Sequence, residues 1–278
     1  MKNGALASSN KHRPITPHTI LSAKLNDLKE LMLAEQSNQN LLELVDDCKA
    51  LIDPLDAYLA QHSSSPSEAL NTLEIETNAL DWDNAFDQSE TDLHLEKEML
   101  SGAVEGQFLK LLVAITNAKQ VLEIGSFTSY ASLAMAEALP PDGNLIACEY
   151  DKFTATFAQK QLHNSQYGKK VKIVIGDALK TLEDLAQNNS VFDLIFIDAD
   201  KAGYENYFTT IMDFELLKKN GLICVDNTLY MGQAYGAGDV TPNGLAIQKF
   251  NRLVAHDERV QQVLLPLRDG VTLIRRIA

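Results

Sequence analysis

The sequence predicts an α/β protein built on a doubly wound, mostly parallel sheet that ends in an antiparallel hairpin, with helices before it. From residue 120 onward, five short apolar runs alternate with helix-compatible segments, and this alternation indicates right-handed crossovers and a parallel sheet. Two strand-like runs at the C-terminus are joined at Asp269-Gly270, a dipeptide typical of hairpin turns. Before residue 96, leucines and isoleucines recur at three- and four-residue spacing among acidic residues. We therefore predict an N-terminal helical extension, residues 1–95, and a Rossmann-like domain, residues 96–278.

The extension is predicted to consist of helices at Pro17–Glu35, at Asn40–Gln61 with an interruption at Pro54, and at Glu90–Leu112. Pro66 is a position at which a further helix can begin. In the domain, strands and helices are expected to alternate over Val121–Ile124, Tyr130–Leu139, Leu145–Cys148, Phe153–Ser165, Val171–Ile175, Ala178–Gln187, Leu194–Ile197, Tyr204–Leu217 and Leu222–Val225.

The last part of the chain departs from this alternation. Val260–Leu267 and Val271–Ile277 are the two strands of the predicted hairpin. The glycine-rich stretch Tyr230–Asn243 has no periodicity and directly follows acidic residues. We predict that it is a mobile loop that covers a site.

The composition excludes several classes of partner. The 278-residue chain carries a formal net charge of −14 at pH 7, which is unfavourable for binding nucleic acid or anionic membranes. Its three cysteines, Cys48, Cys148 and Cys224, have no paired spacing, which indicates a reducing compartment. No uninterrupted apolar stretch approaches the roughly 20 residues of a membrane helix, and the polar segment Met1–Pro14 has no signal-peptide core. We expect a cytoplasmic protein.

A nucleoside-binding site is one interpretation of the first two strand ends. Gly125, after the first strand, lets a ligand approach the backbone closely, and Glu149, after the second, can accept hydrogen bonds from both ribose hydroxyls. The G-x-G-x-x-G fingerprint is absent, so a nucleoside without phosphates fits better than a dinucleotide. An ordinary tight turn with a solvated Glu149 explains these residues equally well. Gly176-Asp177-Ala178 is a weak candidate for an adenine contact, and helix capping by Asp177 is the simpler explanation.

Two acidic clusters at strand ends are the strongest signal. Asp198 and Asp200 follow the apolar run 194–197, and Asp226-Asn227 follows the run 222–225. Since ligands bind at the carboxyl ends of the strands in open α/β sheets, these side chains are expected to meet. The oxygens of Asp198, Asp226 and Asn227 suit Mg²⁺, Mn²⁺ or Ca²⁺ rather than zinc. The alternative is that they cap helices and bind no metal.

Lys201 lies one helical turn from Asp198. A lysine near a metal and screened from water can have a lowered pKa and act as a general base. An ordinary surface ion pair with Asp198 or Asp200 is the alternative. The six histidines show no metal-binding spacing. Only His18 is considered further, because the segment 14–18 is able to fold over the site.

Four segments match a known pattern in order and spacing: Met99-Leu-Ser-Gly-Ala-Val-Glu-Gly-Gln-Phe-Leu109, Glu123-Ile-Gly-Ser-Phe-Thr-Ser-Tyr130, Phe192-Asp-Leu-Ile-Phe-Ile-Asp-Ala-Asp-Lys201 and Gly221-Leu-Ile-Cys-Val-Asp-Asn-Thr228. Through them, residues 99–278 resemble the cation-dependent class I S-adenosylmethionine (SAM) methyltransferases of the caffeoyl-CoA O-methyltransferase type and, more distantly, catechol O-methyltransferase. The resemblance implies a homodimer that binds SAM and Mg²⁺, or else Mn²⁺ or Ca²⁺, and methylates a small hydroxylated molecule. It implies metal ligands at Asp198, Asp226 and Asn227 and catalytic roles for Lys201 and Asp198. The implied donor contacts are Ser101, Glu123, Gly125, Ser126, Glu149, Ala178 and Asp200.

The sequence also departs from this family. The usual Thr-Gly-Tyr-Ser is Thr-Ser-Tyr-Ala at positions 128–131, so a serine hydroxyl expected at the donor carboxylate is missing, and Tyr130, Ser129 or backbone amides would replace it. Tyr230-Met231 stand where the plant enzymes have tryptophan and asparagine, which weakens the case for an aromatic acyl-CoA acceptor. The chain as a whole resembles the O-methyltransferases of mycosporine biosynthesis, which implies methylation of demethyl-4-deoxygadusol to 4-deoxygadusol. A catechol or caffeoyl-type phenol is the alternative acceptor. A nicotinamide-dependent oxidoreductase and a non-catalytic binding protein remain as alternative functions.

Overall fold

The computed structural model describes residues 13–236 and 238–278. The polar segment 1–12, part of the stretch in which no signal peptide was found, and Ala237 in the glycine-rich stretch lie outside the described residues. The described helices are α1 Pro17–Ala34, α2 Gln39–Ile52, α3 Leu55–Gln61, α4 Glu68–Ala79, α5 Trp82–Asp87, α6 Gly102–Thr116, α7 Tyr130–Ala138, α8 Lys152–His163, α9 Ala178–Gln187, α10 Tyr204–Asp213 and α11 Pro242–Ala255. The described strands are β1 Gln120–Ile124, β2 Asn144–Glu149, β3 Val171–Ile175, β4 Phe192–Ile197, β5 Leu217–Val225, β6 Val260–Leu265 and β7 Val271–Arg276.

The strands form one sheet in the order β3-β2-β1-β4-β5-β7-β6. Strands β1 to β5 are parallel, while β7 lies antiparallel to both β5 and β6. The predicted fold class is therefore confirmed, including the C-terminal hairpin. The strand order reverses at β1, which pairs with β2 on one side and with β4 on the other. A reversal of this kind opens a crevice at the carboxyl ends of the strands.

Helices cover both faces of the sheet and make it a fixed platform for the site. On one face, α10 and α11 bury Tyr204, Phe208 and Phe250 against the strands. On the other face, α6 and α7 bury Leu109 and Met135. Complete burial of a side chain such as Phe208 contributes about 1.5–3 kcal/mol, so the two apolar layers hold the strand ends firmly in register.

One described helical run, Lys97–Thr116, has the length and apolar composition of a membrane-spanning helix. It is interrupted by Glu105 and Lys110, and its first residues form a 3-10 turn that is separate from α6. Its buried side includes Leu109 and Val113 and packs against α7 and β4. The core of the domain therefore accounts for the apolar character of this run.

The described part of the extension is helical, as predicted, and capping side chains set its boundaries. Thr16 caps α1 in a reciprocal capping box, and Pro54 separates α2 from α3. Pro66 does not begin the next helix, because the side chain of Ser67 caps α4. The sequence analysis did not predict the short helix α5.

Two predicted helices of the domain need correction. The helix predicted at Glu90–Leu112 is wrong in its first half, because residues 88–96 form turns and α6 begins later. The helix predicted at Tyr204–Leu217 ends early, because Glu215 adopts φ +53 and turns the chain into β5. In both cases the helical pattern of side chains extends beyond the helical backbone, before its start in α6 and past its end in α10.

The glycine-rich stretch, predicted as a loop, contains regular secondary structure at both ends. Tyr230–Tyr235 forms a 3-10 turn that is kinked at Met231 and Gly232. The end of the stretch already belongs to α11, which the sequence analysis missed. Thr241 caps α11 and Pro242 occupies its first turn, and this pair was a usable signal for a helix start.

Candidate active site

The carboxyl ends of β1, β4 and β5 lie side by side and carry the acidic residues of the site. The sheet's hydrogen bonds continue to both predicted metal ligands: the Asp198 N–H donates to Ile124 O (2.9 Å) and the Asp226 N–H donates to Ile197 O (3.0 Å). Gly125, at φ +87, fits beside them because a Cβ there would overlap the Asp198 carbonyl. Regular strand pairing therefore brings Asp198 and Asp226 together at the switch point.

Most of the predicted SAM contacts lie around one cavity. We call the predicted donor residues the donor half of the site: Ser101, Glu123, Gly125, Ser126, Tyr130, Glu149, Ala178 and Asp200. A small, partly open cavity is lined by the first five of them and also by Asp198. Ala178 and Asp200 are outside this lining. Ala178 begins α9 behind the Asp177 cap, as expected, and Asp200 is exposed and accepts a hydrogen bond from the Tyr207 hydroxyl.

Glu149 is joined to this cavity through the backbone of its lining. Its carboxylate oxygens accept hydrogen bonds from the Phe127 N–H (2.6 Å) and the Asp151 N–H (2.9 Å). Burial raises the pKa of Glu149, and these two backbone donors oppose the rise. Each oxygen keeps a further lone pair, so Glu149 can still accept ribose hydroxyls. Glu123 is also buried, which raises its pKa well above the ordinary value, and it accepts a hydrogen bond from Ser132.

Buried hydroxyls in the donor half fit a polar ligand. The side-chain oxygens of Ser126, Ser129 and Tyr130 are buried and have no hydrogen-bond partner within residues 13–236 and 238–278. Because buried hydroxyls are nearly always hydrogen-bonded, these atoms suit the amino-acid part of SAM. The Tyr130 ring packs beside Leu70 and Leu133. Ser126 and Ser129 lie in the turn before α7, where the helix N-terminus favours a carboxylate.

The acidic set fits a divalent cation in its donor chemistry. Asp226 is buried, and its Oδ1 has no hydrogen-bond partner among the described residues. Burial, with Asp198 adding to it, raises the pKa of Asp226 to about 7. A hard cation stabilises adjacent buried carboxylates in their charged form. The described residues contain no cluster of three or more His, Cys, Asp or Glu side chains suited to a metal, and the set here consists of two carboxylates with the amide of Asn227.

Lys201 has a raised pKa in this metal-free geometry. Its ammonium donates to Asp198 Oδ1 (3.0 Å), to Ala199 O (3.0 Å) and to the Tyr204 hydroxyl (2.9 Å). Burial on its own would lower the pKa of Lys201, but the interactions with Tyr204 and Asp198 outweigh burial and raise it. The expectation of a lowered pKa concerned a lysine beside a bound metal, so it remains a prediction for the metal-bound site. In this arrangement Lys201 holds its proton against Asp198.

Arg268 and Glu105 complete the acidic side of the site, and the sequence analysis assigned neither of them a role. Arg268 Nη1 donates to the Glu105 carboxylate (2.8 Å), and Nη2 donates to Leu100 O (3.2 Å). Burial, followed by the charge of Asp226, raises the pKa of Glu105 well above its ordinary value, and Arg268 opposes this rise. The backbone of Arg268 is left-handed at φ +48, which is uncommon for a residue other than glycine. A glutamate inside the apolar pattern of α6 was the available signal.

We call this second group the acceptor half of the site: Asp198, Lys201, Asp226 and Asn227, with Glu105, Tyr204 and Arg268. Within the extension, His18 Nε2 lies 2.8 Å from Asp56 Oδ1. The hydrogen bond from His18 and, to a smaller extent, the charge of Arg268 lower the pKa of Asp56. The hydrogen-bond partners of His18 are thus Thr16 and Asp56, and its place over the site stays a prediction. Helix α1 also contacts the Tyr230–Tyr235 turn.

Comparisons with known proteins agree with this arrangement. A family model described as O-methyltransferase matches residues 86–277. Caffeoyl-CoA O-methyltransferase 1 of Arabidopsis thaliana is 31% identical over 255 residues, which cover 88% of this chain and 93% of that protein. Caffeoyl-CoA O-methyltransferase 2 of Eucalyptus globulus is 36% identical over 189 residues, which cover 65% of this chain and 76% of that protein.

Solved structures of methyltransferases share the fold. A methyltransferase of Podospora anserina with bound S-adenosylhomocysteine (SAH) matches with a TM-score of 0.71 and 28% identity, covering 83% of this chain and 97% of that chain. The O-methyltransferase TomG of Streptomyces achromogenes, in complex with SAM, matches with a TM-score of 0.68 and 26% identity, covering 81% and 96%. Because the family model covers well over half of the sequence, the chain belongs to the O-methyltransferase family and is a SAM-dependent O-methyltransferase of the caffeoyl-CoA type.

Proposed function

We propose that this chain methylates a hydroxyl of a small molecule that presents two adjacent oxygens, with a divalent cation held by Asp198, Asp226 and Asn227. The observation that carries the proposal is the position of Asp198, which lines the donor cavity and also lies beside Asp226 and Lys201. An acceptor bound at the acidic set would therefore lie next to a methyl donor in the cavity. Alignment of two reactants in this way supplies much of the acceleration in transfer reactions.

The chemistry is a displacement at the methyl carbon: a bond from the acceptor oxygen to carbon forms, the bond from carbon to sulfur breaks, and SAM becomes SAH. A bound cation would lower the pKa of the acceptor hydroxyl and neutralise the buried carboxylates. Lys201 is the base that we propose for the acceptor proton. The Lys201 ammonium must first lose a proton before its amine can accept one from the acceptor. This loss requires that the ion pair with Asp198, which raises the pKa of Lys201 in the metal-free geometry, is weakened. As an ammonium, Lys201 would stabilise the acceptor oxyanion.

For the acceptor we propose demethyl-4-deoxygadusol, with 4-deoxygadusol as the product, in mycosporine biosynthesis. The sequence resemblance supports this choice, and so does Arg268, because its guanidinium provides a fixed positive charge close to Asp226. An ionised enediol-like ring would gain from such a charge. A catechol or caffeoyl-type phenol is the second candidate, and the two plant caffeoyl-CoA enzymes described above favour it.

An assay with methyl-labelled SAM tests the acceptor. The purified full chain with Mg²⁺ is incubated separately with demethyl-4-deoxygadusol, with catechols and with caffeoyl-type esters. We expect the highest kcat/KM with demethyl-4-deoxygadusol, and Asp226→Ala should remove this activity. Transfer to catechols alone would contradict the proposed acceptor but would leave the proposed reaction intact.

We also propose that the protein is a cytoplasmic homodimer. The free thiols of Cys148 and Cys224, both buried, support a reducing compartment. Large apolar side chains such as Leu31, Leu44 and Leu51 are exposed on the first two helices, and contiguous exposed apolar surface is typical of an interaction site. Light scattering after gel filtration should give twice the chain mass, and a monomer at micromolar concentration would contradict the dimer.

A further inference from the structure

A part of the extension that lies outside the family match contacts the donor half directly. The family model begins at residue 86, whereas Thr77 in α4 and Trp82 at the start of α5 precede it. Both side chains are buried, and both touch the turn 126–130 between β1 and α7. We propose that Trp82, supported by Thr77, is a positioning residue for SAM that holds this turn in the shape the donor requires.

The turn needs support because its backbone is strained. Phe127 adopts φ +47 and Ser129 adopts φ +66, and neither is a glycine. Within the turn, the Ser129 N–H donates to Ser126 O (2.7 Å). Residues in such conformations persist only where the surrounding structure holds them, and they are concentrated at functional sites. The Ser126 and Ser129 hydroxyls, which suit the donor, are placed by this backbone.

Trp82 provides the support on one side of the turn. The centroid of its ring lies 4.9 Å from that of the Phe127 ring. The rings of Phe153 and Phe157 pack edge-to-face with Trp82 at centroid distances of 6.3 and 6.5 Å. The indole N–H donates to Thr77 O (3.0 Å), which fixes the orientation of the ring. Because the backbone N–H of Phe127 is a donor to Glu149, a shift of the Phe127 ring would also move a partner of the ribose-binding carboxylate.

Thr77 provides the second contact. Its hydroxyl donates to Thr128 Oγ1 (3.1 Å), and both side chains are fully buried. Thr128 lies between the two left-handed residues, so the hydrogen bond and the aromatic contact hold neighbouring points of one turn. A role in folding alone predicts lower stability with unchanged donor affinity in the folded protein. A positioning role predicts weaker donor binding in a protein that remains folded.

Four variants separate these roles: Trp82→Ala, Trp82→Phe, Thr77→Val and, as a matched control, Ile75→Ala, whose side chain is exposed on the same helix as Thr77. Calorimetry gives the Kd for SAH, and kinetics give the KM for SAM and the kcat at saturating SAM. We expect Trp82→Ala to raise Kd and KM about tenfold with kcat within about twofold, a split that indicates lost donor binding. Trp82→Phe should recover most of the affinity, Thr77→Val should lose about threefold, and Ile75→Ala should match the unmodified protein.

Fluorescence tests the same claim without a mutation. Trp82 is the only tryptophan in the sequence, so its emission should change when SAH binds, with the Kd that calorimetry gives. Unchanged emission at saturating SAH would overturn the proposal, as would unmodified SAH affinity in folded Trp82→Ala or in Thr77→Val. If Trp82→Ala does not fold, Thr77→Val and the fluorescence titration decide. The calorimetric and fluorescence measurements with SAH need neither cation nor acceptor, so they are independent of the proposed acceptor.

Discussion

The donor half and the acceptor half of the site share one sheet edge, but different structural elements place their residues. Glu123 lies next to the last residue of β1 and Glu149 is the last residue of β2, and both are buried. In the acceptor half, only Asp198 and Asp226 follow strands directly. Asn227 and Arg268, like Met231 nearby, occupy left-handed backbone at φ +58, +48 and +54. The strand-end glutamates of the donor half are thus placed by the sheet itself, whereas Asn227 and Arg268 of the acceptor half, like the turn 126–130 of the donor half, are placed by left-handed turns.

This difference explains why the methyl donor is easier to identify than the acceptor. Residues at strand ends keep their positions as long as the sheet is kept, so a sequence pattern specifies them well. Residues in strained turns depend on contacts from elsewhere in the chain, such as the hydrogen bond from the Met231 N–H to Asp269 (2.6 Å). The extension also reaches this region, because α1 contacts the Tyr230–Tyr235 turn. Acceptor choice therefore depends on the least regular part of the molecule.

The largest expected effect is a separation of turnover from donor binding at Lys201. Lys201→Ala removes the proposed base and the ion pair with Asp198, and turnover should fall about 10²–10⁴-fold. The Kd for SAH should remain within about twofold, because Lys201 is not among the residues that line the donor cavity. Rates from product formation and Kd values from calorimetry measure the two effects.

Lys160→Ala is the control, since Lys160 is an exposed lysine on α8, and its turnover should equal that of the unmodified protein. If Lys201→Ala retained full turnover, Lys201 would have no catalytic role. If it lost SAH binding and turnover equally, the two halves of the site would not be separable.

The second prediction concerns the buried pair in the acceptor half. Arg268→Gly should relieve the left-handed backbone but leave the Glu105 carboxyl without its cation, at a cost of about 3 kcal/mol in the free energy of unfolding. In the double variant Arg268→Gly/Glu105→Gln, part of this loss should be recovered, because no buried charge is stranded. Chemical denaturation of both single variants and the double variant measures the coupling. Arg252→Ala, at an exposed arginine of α11, is the control, and additive losses would show that the pair is not coupled.

The third prediction is a pH dependence in the donor half. Burial raises the pKa of Glu149 above 4.5, and the ionised form is the acceptor for ribose hydroxyls, so SAH affinity should decrease as the pH falls through this raised pKa. Stability changes in the opposite direction. Burial favours the neutral form of Glu149 in the folded protein. The stability that this form contributes is complete below the ordinary pKa of glutamate and is lost as the pH rises through the raised pKa of Glu149.

Glu149→Gln should remove the pH dependence of SAH affinity and the Glu149 contribution to the pH dependence of stability, and it should weaken SAH binding about tenfold. Glu183→Gln, at an exposed glutamate of α9, is the matched control and should keep both effects. Calorimetry with SAH at pH values from about 5 to about 8, which lie above the ordinary pKa of glutamate, gives the affinity. Affinity that does not depend on pH in the unmodified protein would remove Glu149 from donor binding.

The same contrast describes what the sequence predicts about this molecule. The alternation of apolar runs and helices predicted all five parallel strands and the hairpin, and strand ends predicted Asp198 and Asp226, because periodicity and strand position are local properties. The sequence analysis missed α11 and extended the helix before Gly102, because capping residues and turns decide those boundaries. The pairing of Arg268 with Glu105 joins distant parts of the chain, and no local pattern reports it. Likewise, the contact of Lys201 with Tyr204, which raises the Lys201 pKa, is recognised only in the packed site.

The most direct test of the proposed division of the site is to measure SAH binding and methyl transfer on the same preparation, in excess EDTA and then after Mg²⁺ is restored. Asp226, with its unpartnered Oδ1 and raised pKa, is the group that a cation would engage in the acceptor half. We predict that SAH binds with the same Kd in EDTA, that turnover is abolished, and that Mg²⁺ restores it. Full turnover in excess EDTA would contradict the cation-dependent acceptor half.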